Sequence, residues 1–189
     1  MTGPSAGAGR VDADDHTIAF QLGRRPRGRW SVAARCRWGR PTVIAMAPLL
    51  ETGARFPTAL WLTCPWLARG VDDLESAGAT GRWTLRVASE PELAERVLAA
   101  DEDYRRLRAS LGGGVDPCAG VGTAGQSDPL AVKCVHARVA AALAGIADPI
   151  GEGALAELHA SGVSRACPED RCVSAESTRR AGPRSGGFG

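Results

Sequence analysis

The sequence predicts an α+β fold: one small, mostly antiparallel sheet packed against several helices in a single domain. The chain has 189 residues, which suits one compact domain at roughly 100–200 residues each. Strand-like runs fall before residue 63, and the rest carries apolar residues at three- and four-residue spacing, the mark of helices with one covered face. Strands that lead into helices covering them bury both kinds of apolar face. A hydrophobic share of 44% and a charged share of 23% are ordinary for a globular protein and exclude wholesale disorder.

Each element has a local cause. Asp15 caps a short helix from His16 to Leu22, and Gly23 stops it. Arg29–Ala34 reads as a strand, Cys36–Pro41 as a turn, Thr42–Ala47 as a more apolar strand and Phe56–Leu62 as a third extended segment. Pro65 opens a helix in which Leu67, Val71 and Leu74 share a face, and Gly78 ends it. Arg82–Val87 is compatible with a short strand or a helical turn. Ser89 and Glu92 form a capping box ahead of a long amphipathic helix, Leu93 to Leu111. Gly112–Ser127 is a glycine-rich loop with neither a phosphate-binding nor a dinucleotide fingerprint. A helix starts at Asp128-Pro129 and runs to Gly145, apolar except for Lys133, His136 and Arg138, and a short helix, Glu152–His159, completes the domain. The domain is therefore expected over residues 15–160. Disorder is expected for 1–14 and for the Ser/Arg/Gly-rich 161–189.

No apolar run reaches the roughly 18–20 residues needed to cross a bilayer, because prolines interrupt Thr42–Leu50 and Thr58–Ala68. The opening residues lack the basic start and apolar stretch of a secretory signal. The expected location is cytoplasmic, with no membrane partner. In that setting six cysteines are free thiols, metal ligands or redox groups before they are a disulfide framework.

The cysteines lack CxxC spacing. Cys36 lies in a turn, Cys64 at a helix start and Cys134 inside the last long helix, so a shared site for the three would close only on folding. Such a thiolate set suits zinc or an iron–sulfur cluster; the plainer reading is that each cysteine packs as a small hydrophobe. On a regular helix Cys134 and His136 stand roughly 160° apart and cannot hold one ion together. His136 instead shares a side with Lys133, the only lysine among 23 basic residues. Those two form a polar edge that requires a carboxylate, water or a bound anion. Cys64, at a helix N-terminus, is also a candidate nucleophile with His136 as its base. Cys167 and Cys172, spaced C-x4-C in the tail, read as incidental.

Arg24, Arg25, Arg27, Arg29, Arg35, Arg37 and Arg40 form a basic segment with Trp30 and Trp38 interleaved. Arginine forks and aromatic faces suit phosphates and bases. A formal net charge of +2 lacks the basic excess of a nucleic-acid binder, so a solvated hairpin face is the favoured reading.

Several of these stretches together resemble the domain of unknown function 501 family, bacterial and best represented in actinobacteria. The matching runs are QLGRRPRG (Gln21–Gly28), RC-x-x-G-x-P (Arg35–Pro41), FPT-x-x-WLTCP (Phe56–Pro65), L-E-x-x-G (Leu74–Gly78), VKCVHA (Val132–Ala137) and DPIG (Asp148–Gly151). The resemblance implies that Cys36, Cys64, Lys133, Cys134 and His136 stand in signature blocks, which favours a metal or thiol site. It implies no activity, substrate or cofactor. Two departures, the shortened glycine-rich loop and an alanine-rich last long helix, put the stability of that layer in question.

Three functions compete. The first is a metal- or cluster-binding protein using Cys36, Cys64 and Cys134. The second is an enzyme acting on an anionic or phosphorylated small molecule through Cys64 or through Lys133 and His136. The third is a protein or nucleic-acid interaction module that docks its partner through the Arg24–Arg40 hairpin or the long helix.

Overall fold

A computed structural model describes residues 6–170 and Cys172. Among these residues six α-helices and a three-stranded antiparallel sheet form a single α+β domain. The chain runs α1 (Ala6–Leu22), β1 (Trp30–Arg35), β2 (Pro41–Met46), β3 (Leu60–Leu62), α2 (Pro65–Ser76), α3 (Ala79–Ser89), α4 (Pro91–Leu111), α5 (Val135–Leu143) and α6 (Pro149–Ala160). No helix among the described residues is long and apolar enough to cross a membrane.

The sheet order is β1-β2-β3, so β2 is central, and every residue in it is buried. Successive side chains on a strand point to opposite faces, and β2 uses both. Ile44 and Met46 pack with Ile18 of α1 on one side, joined by Trp30 and Val32 of β1. Val43 and Ala45 pack on the other side with Tyr104 and Ala100 of α4 and Ala140 and Ala141 of α5. A third cluster gathers Leu67, Val71, Trp83, Val97, Val135, Val139, Ile150 and Leu158 from α2 to α6. The long α4 stripe is thus divided: Tyr104 faces the sheet and Val97 the other helices.

Several boundaries depart from the sequence reading. The first helix starts at Ala6, well ahead of His16. The 82–87 stretch is helical, within α3. The capping box does not form, because Pro91 forces the residue before it into extended backbone. Glu90 is the cap, and Ser89 Oγ donates back to the Leu85 and Arg86 carbonyls. The largest difference is at the last long helix, which begins at Val135 and not at Asp128. Side chains supply the bonds that a helix would have made there. Asp128 Oδ1 accepts from Leu130 N, Thr84 Oγ1 from Val132 N and Gln126 Oε1 from Lys133 N. The expected disorder at residues 1–5, 171 and 173–189 falls outside the described residues. Of the remaining tail, Ala166, Cys167 and Cys172 are buried, and Trp38 Nε1 and Arg37 donate to the Cys167 carbonyl.

Two buried arginines replace apolar filling. Arg108 on α4 is fully buried, pairs with Asp116 and donates to the carbonyls of Pro57, Cys118, Val121 and Gly122. The glycine-rich loop is therefore folded around one guanidinium. Arg138 on α5 pairs at 3.2 Å with Asp148, whose carboxylate also caps α6 through the Ile150 and Gly151 amides. The alanine content of α5 has a steric reason. A Cβ on Gly151 would lie 2.1 Å from the Arg138 carbonyl oxygen, so α5 and α6 touch backbone to backbone.

Asp148→Ala is expected to destabilise the fold by about 3–5 kcal/mol, since it strands a buried guanidinium and uncaps a helix. A urea midpoint unchanged from wild type would refute that. Gly151→Ala should cost about 1–3 kcal/mol, whereas Gly81→Ala, on an exposed helix face with open space at its Cβ, should add about 0.5–1 kcal/mol. Thermal melts that order these two variants the other way would contradict the packing described.

Candidate metal centre

The two most specific sequence blocks meet in space. β3 is an edge strand, and the start of α5 packs beside it. Tyr104 Oη accepts from Ala59 N at 2.7 Å and Leu60 N at 3.3 Å, fixing β3 from below. Between β3 and α5 lies a pocket of about 320 Å³, lined by Thr58, Leu60, Trp61, Leu62, Ala124, Lys133, Cys134, His136 and Ala137. Ala124 enters it from a 3-10 turn, Thr123–Gly125, with φ of 58°, a left-handed backbone rare for alanine. Asp101 of α4 pins that turn by accepting from Thr123 N and Oγ1.

Cys134 is the N-cap of α5 and has extended backbone, φ −154° and ψ 119°. The expectation that Cys134 and His136 diverge assumed a helix through both. With Cys134 outside the helix, its sulfur turns back toward His136. Glu75, from the last turn of α2, completes a set: one donor atom each of Glu75, Cys134 and His136 lie within 4.8 Å of one another. This is the one such group of three among the described residues.

Each member is held from behind. Glu75 Oε1 accepts from Val135 N at 2.5 Å, supplying the cap that Cys134's own side chain does not make. Glu75 Oε2 lies 3.4 Å from His136 Nδ1. His136 Nε2 lies 3.2 Å from both the Ala68 carbonyl and Asp72 Oδ1. The hydrogen bond with Cys134, together with the charges of Cys134, Glu75 and Asp72, outweighs burial and raises the His136 pKa to about 9. Lys133 is exposed at the rim of the pocket and enters no ion pair among the described residues.

The structure does not gather Cys36, Cys64 and Cys134. Cys36 sits half-buried in the β1–β2 turn, its N–H bonded to the Arg40 carbonyl. Cys64 is buried at the start of α2, where its thiol interacts with that of Cys172. Lys133 and His136 do share a pocket, although Lys133 precedes the helix. The residue missed in the sequence is Glu75. It stands in the L-E-x-x-G run, and an acidic side chain at a helix C-terminus opposes the macrodipole, which marks it as serving another purpose. The basic segment is largely used internally. Arg35 pairs with Asp14 and Arg40 with Asp170, and Arg37 and Arg24 lie over the rings of Trp38 and Trp61.

Neither curated proteins nor solved structures give a match to this chain. A family model described as "Protein of unknown function (DUF501)" matches residues 32–156, a span that contains β3, Glu75 and the Lys133–His136 block. The chain belongs to the domain of unknown function 501 family.

Proposed function

We propose that the protein binds a zinc-class divalent ion through Glu75, Cys134 and His136 and uses it on an anionic small molecule held in the adjoining pocket. The convergence of three different donor types within 4.8 Å carries this reading. Three protein ligands with one position open is the pattern of catalytic zinc, and a single thiolate suits zinc better than an iron–sulfur cluster, which draws on several cysteines. The hydrogen bond available from His136 Nε2 to the Ala68 carbonyl is the outer contact that orients a metal-bound imidazole. Lys133 supplies a cation for the anionic end of the molecule, and Leu60, Leu62 and Trp61 supply an apolar wall. Solvent-side chemistry in the cytoplasm fits this set of groups.

One observation supports a second reading. Cys134 lies at the N-terminus of α5 with His136 as hydrogen-bond partner, the arrangement of a thiol nucleophile and its base.

Elemental analysis of protein purified without chelator should find a single zinc-class ion per chain. Glu75→Gln, Cys134→Ser and His136→Ala should each weaken zinc binding at least about 100-fold, while Cys36→Ser leaves it unchanged. In the cobalt-substituted protein, inorganic phosphate should alter the visible bands, and Lys133→Ala should diminish that response. Metal-free protein that takes up no zinc, with Cys134 rapidly alkylated by iodoacetamide, would overturn the metal reading in favour of the thiol nucleophile.

A further inference from the structure

A second sulfur site lies apart from the first, where the segment following α6 folds back over the start of α2. Cys64 and Cys172 are both buried, 3% and 5% exposed, and their thiols interact with each other. Gln21 of α1 reaches the same place: its Nε2 donates to Cys172 Sγ at 3.2 Å and to the Pro41 carbonyl at 2.8 Å. The other end of that amide, Gln21 Oε1, is buried and has no donor among the described residues; nor does the buried Thr63 Oγ1, next in sequence to Cys64, have a partner among them. A pocket of about 430 Å³, lined by Phe20, Pro65, Trp66, Arg69, Cys167 and Cys172, leads from solvent to the Cys172 side of the pair.

We propose that Cys172 and Cys64 form a hydroperoxide-reactive thiol pair, Cys172 as the sulfur attacked and Cys64 as the resolving thiol. The Cys64 thiol and the Gln21 amide face Cys172 sulfur and favour its thiolate, outweighing burial and the Asp170 carboxylate, whose charge is itself paired with Arg40. The thiolate attacks the outer peroxide oxygen. The O–O bond breaks, an S–O bond forms, and the alkoxide or hydroxide leaves and takes up a proton. The resulting sulfenic acid carries a hydroxyl, and Gln21 Oε1 is the acceptor without a donor beside it. Cys64, losing its proton, then attacks Cys172 sulfur; the S–S bond forms and hydroxide leaves as water. Two thiols and one hydroperoxide thus give a disulfide, an alcohol or water, and a further water.

The test uses the full chain treated with equimolar hydrogen peroxide, blocked with N-ethylmaleimide and mapped by mass spectrometry without reduction. Two of the six thiols should be lost, with a single cross-linked peptide joining Cys64 to Cys172. Cys64→Ser should leave a sulfenic acid on Cys172 that dimedone traps, and Gln21→Leu should slow the oxidation. A disulfide joining any other pair, such as Cys167 to Cys172, would overturn the proposal. So would a Cys172 that stays reduced while Cys36 or Cys134 is oxidised. None of these readouts depends on metal at the Glu75 site.

Discussion

Arg138 and Asp148 meet at 3.2 Å with 1% of either side chain exposed, and the position of everything around the first pocket follows from that contact. A guanidinium and a carboxylate buried together are stable only while both remain paired, so α5 and the first turn of α6 are held as one piece. Asp148 has a second duty as the cap of α6, and Gly151 lets the two backbones touch beside it. With α5 fixed at its middle, its first residue is aimed at the edge of β3 and at the last turn of α2. Glu75 and Val135 then meet although 60 residues separate them. The charged pair is thus a registry device: it sets which residues of α5 face the pocket.

Much of the fold was legible because its causes are local. The central strand shows as an apolar run, the Pro65 helix as a proline followed by a four- and three-residue repeat, and α4 as a long stripe. Where the sequence misled, a distant partner decided the outcome. Residues 128–134 are as apolar as the helix that follows, and nothing in their spacing shows that Asp128, Thr84 and Gln126 satisfy their amides or that Glu75 takes the amide of Val135. That substitution moves Cys134 from helix interior to helix cap, and it turns a pair that geometry kept apart into neighbours. Arg108 is a similar case: a charge in the last turn of an exposed-looking helix becomes the hub of a loop. The blocks WLTCP and VKCVHA were visible as blocks. Their meeting was not, since it depends on α5 packing along a strand edge.

The two sulfur sites differ in chemistry because their surroundings differ. Beside Cys134 stand the Glu75 carboxylate and the His136 imidazole, with the Asp72 carboxylate and the Ala68 carbonyl behind that imidazole, groups that attract a cation. Around Cys172 stand a thiol and an amide N–H, which stabilise an anion on sulfur, and an Arg40–Asp170 pair whose charges offset each other. A soft cation and an electrophilic oxidant are matched to these two fields respectively, even though both sites are built on cysteine.

α5 also has a mechanical role. Val135 and Val139 belong to the cluster formed by the helices, while Ala140 and Ala141 belong to the one formed with the sheet. The helix is a wall shared by two rooms, and neither can open without removing it. Its amide hydrogens are therefore expected to exchange with solvent only on whole-domain unfolding, more slowly than those of α3, whose outer face is solvated. A pocket built on such a wall keeps its shape until the protein itself is lost.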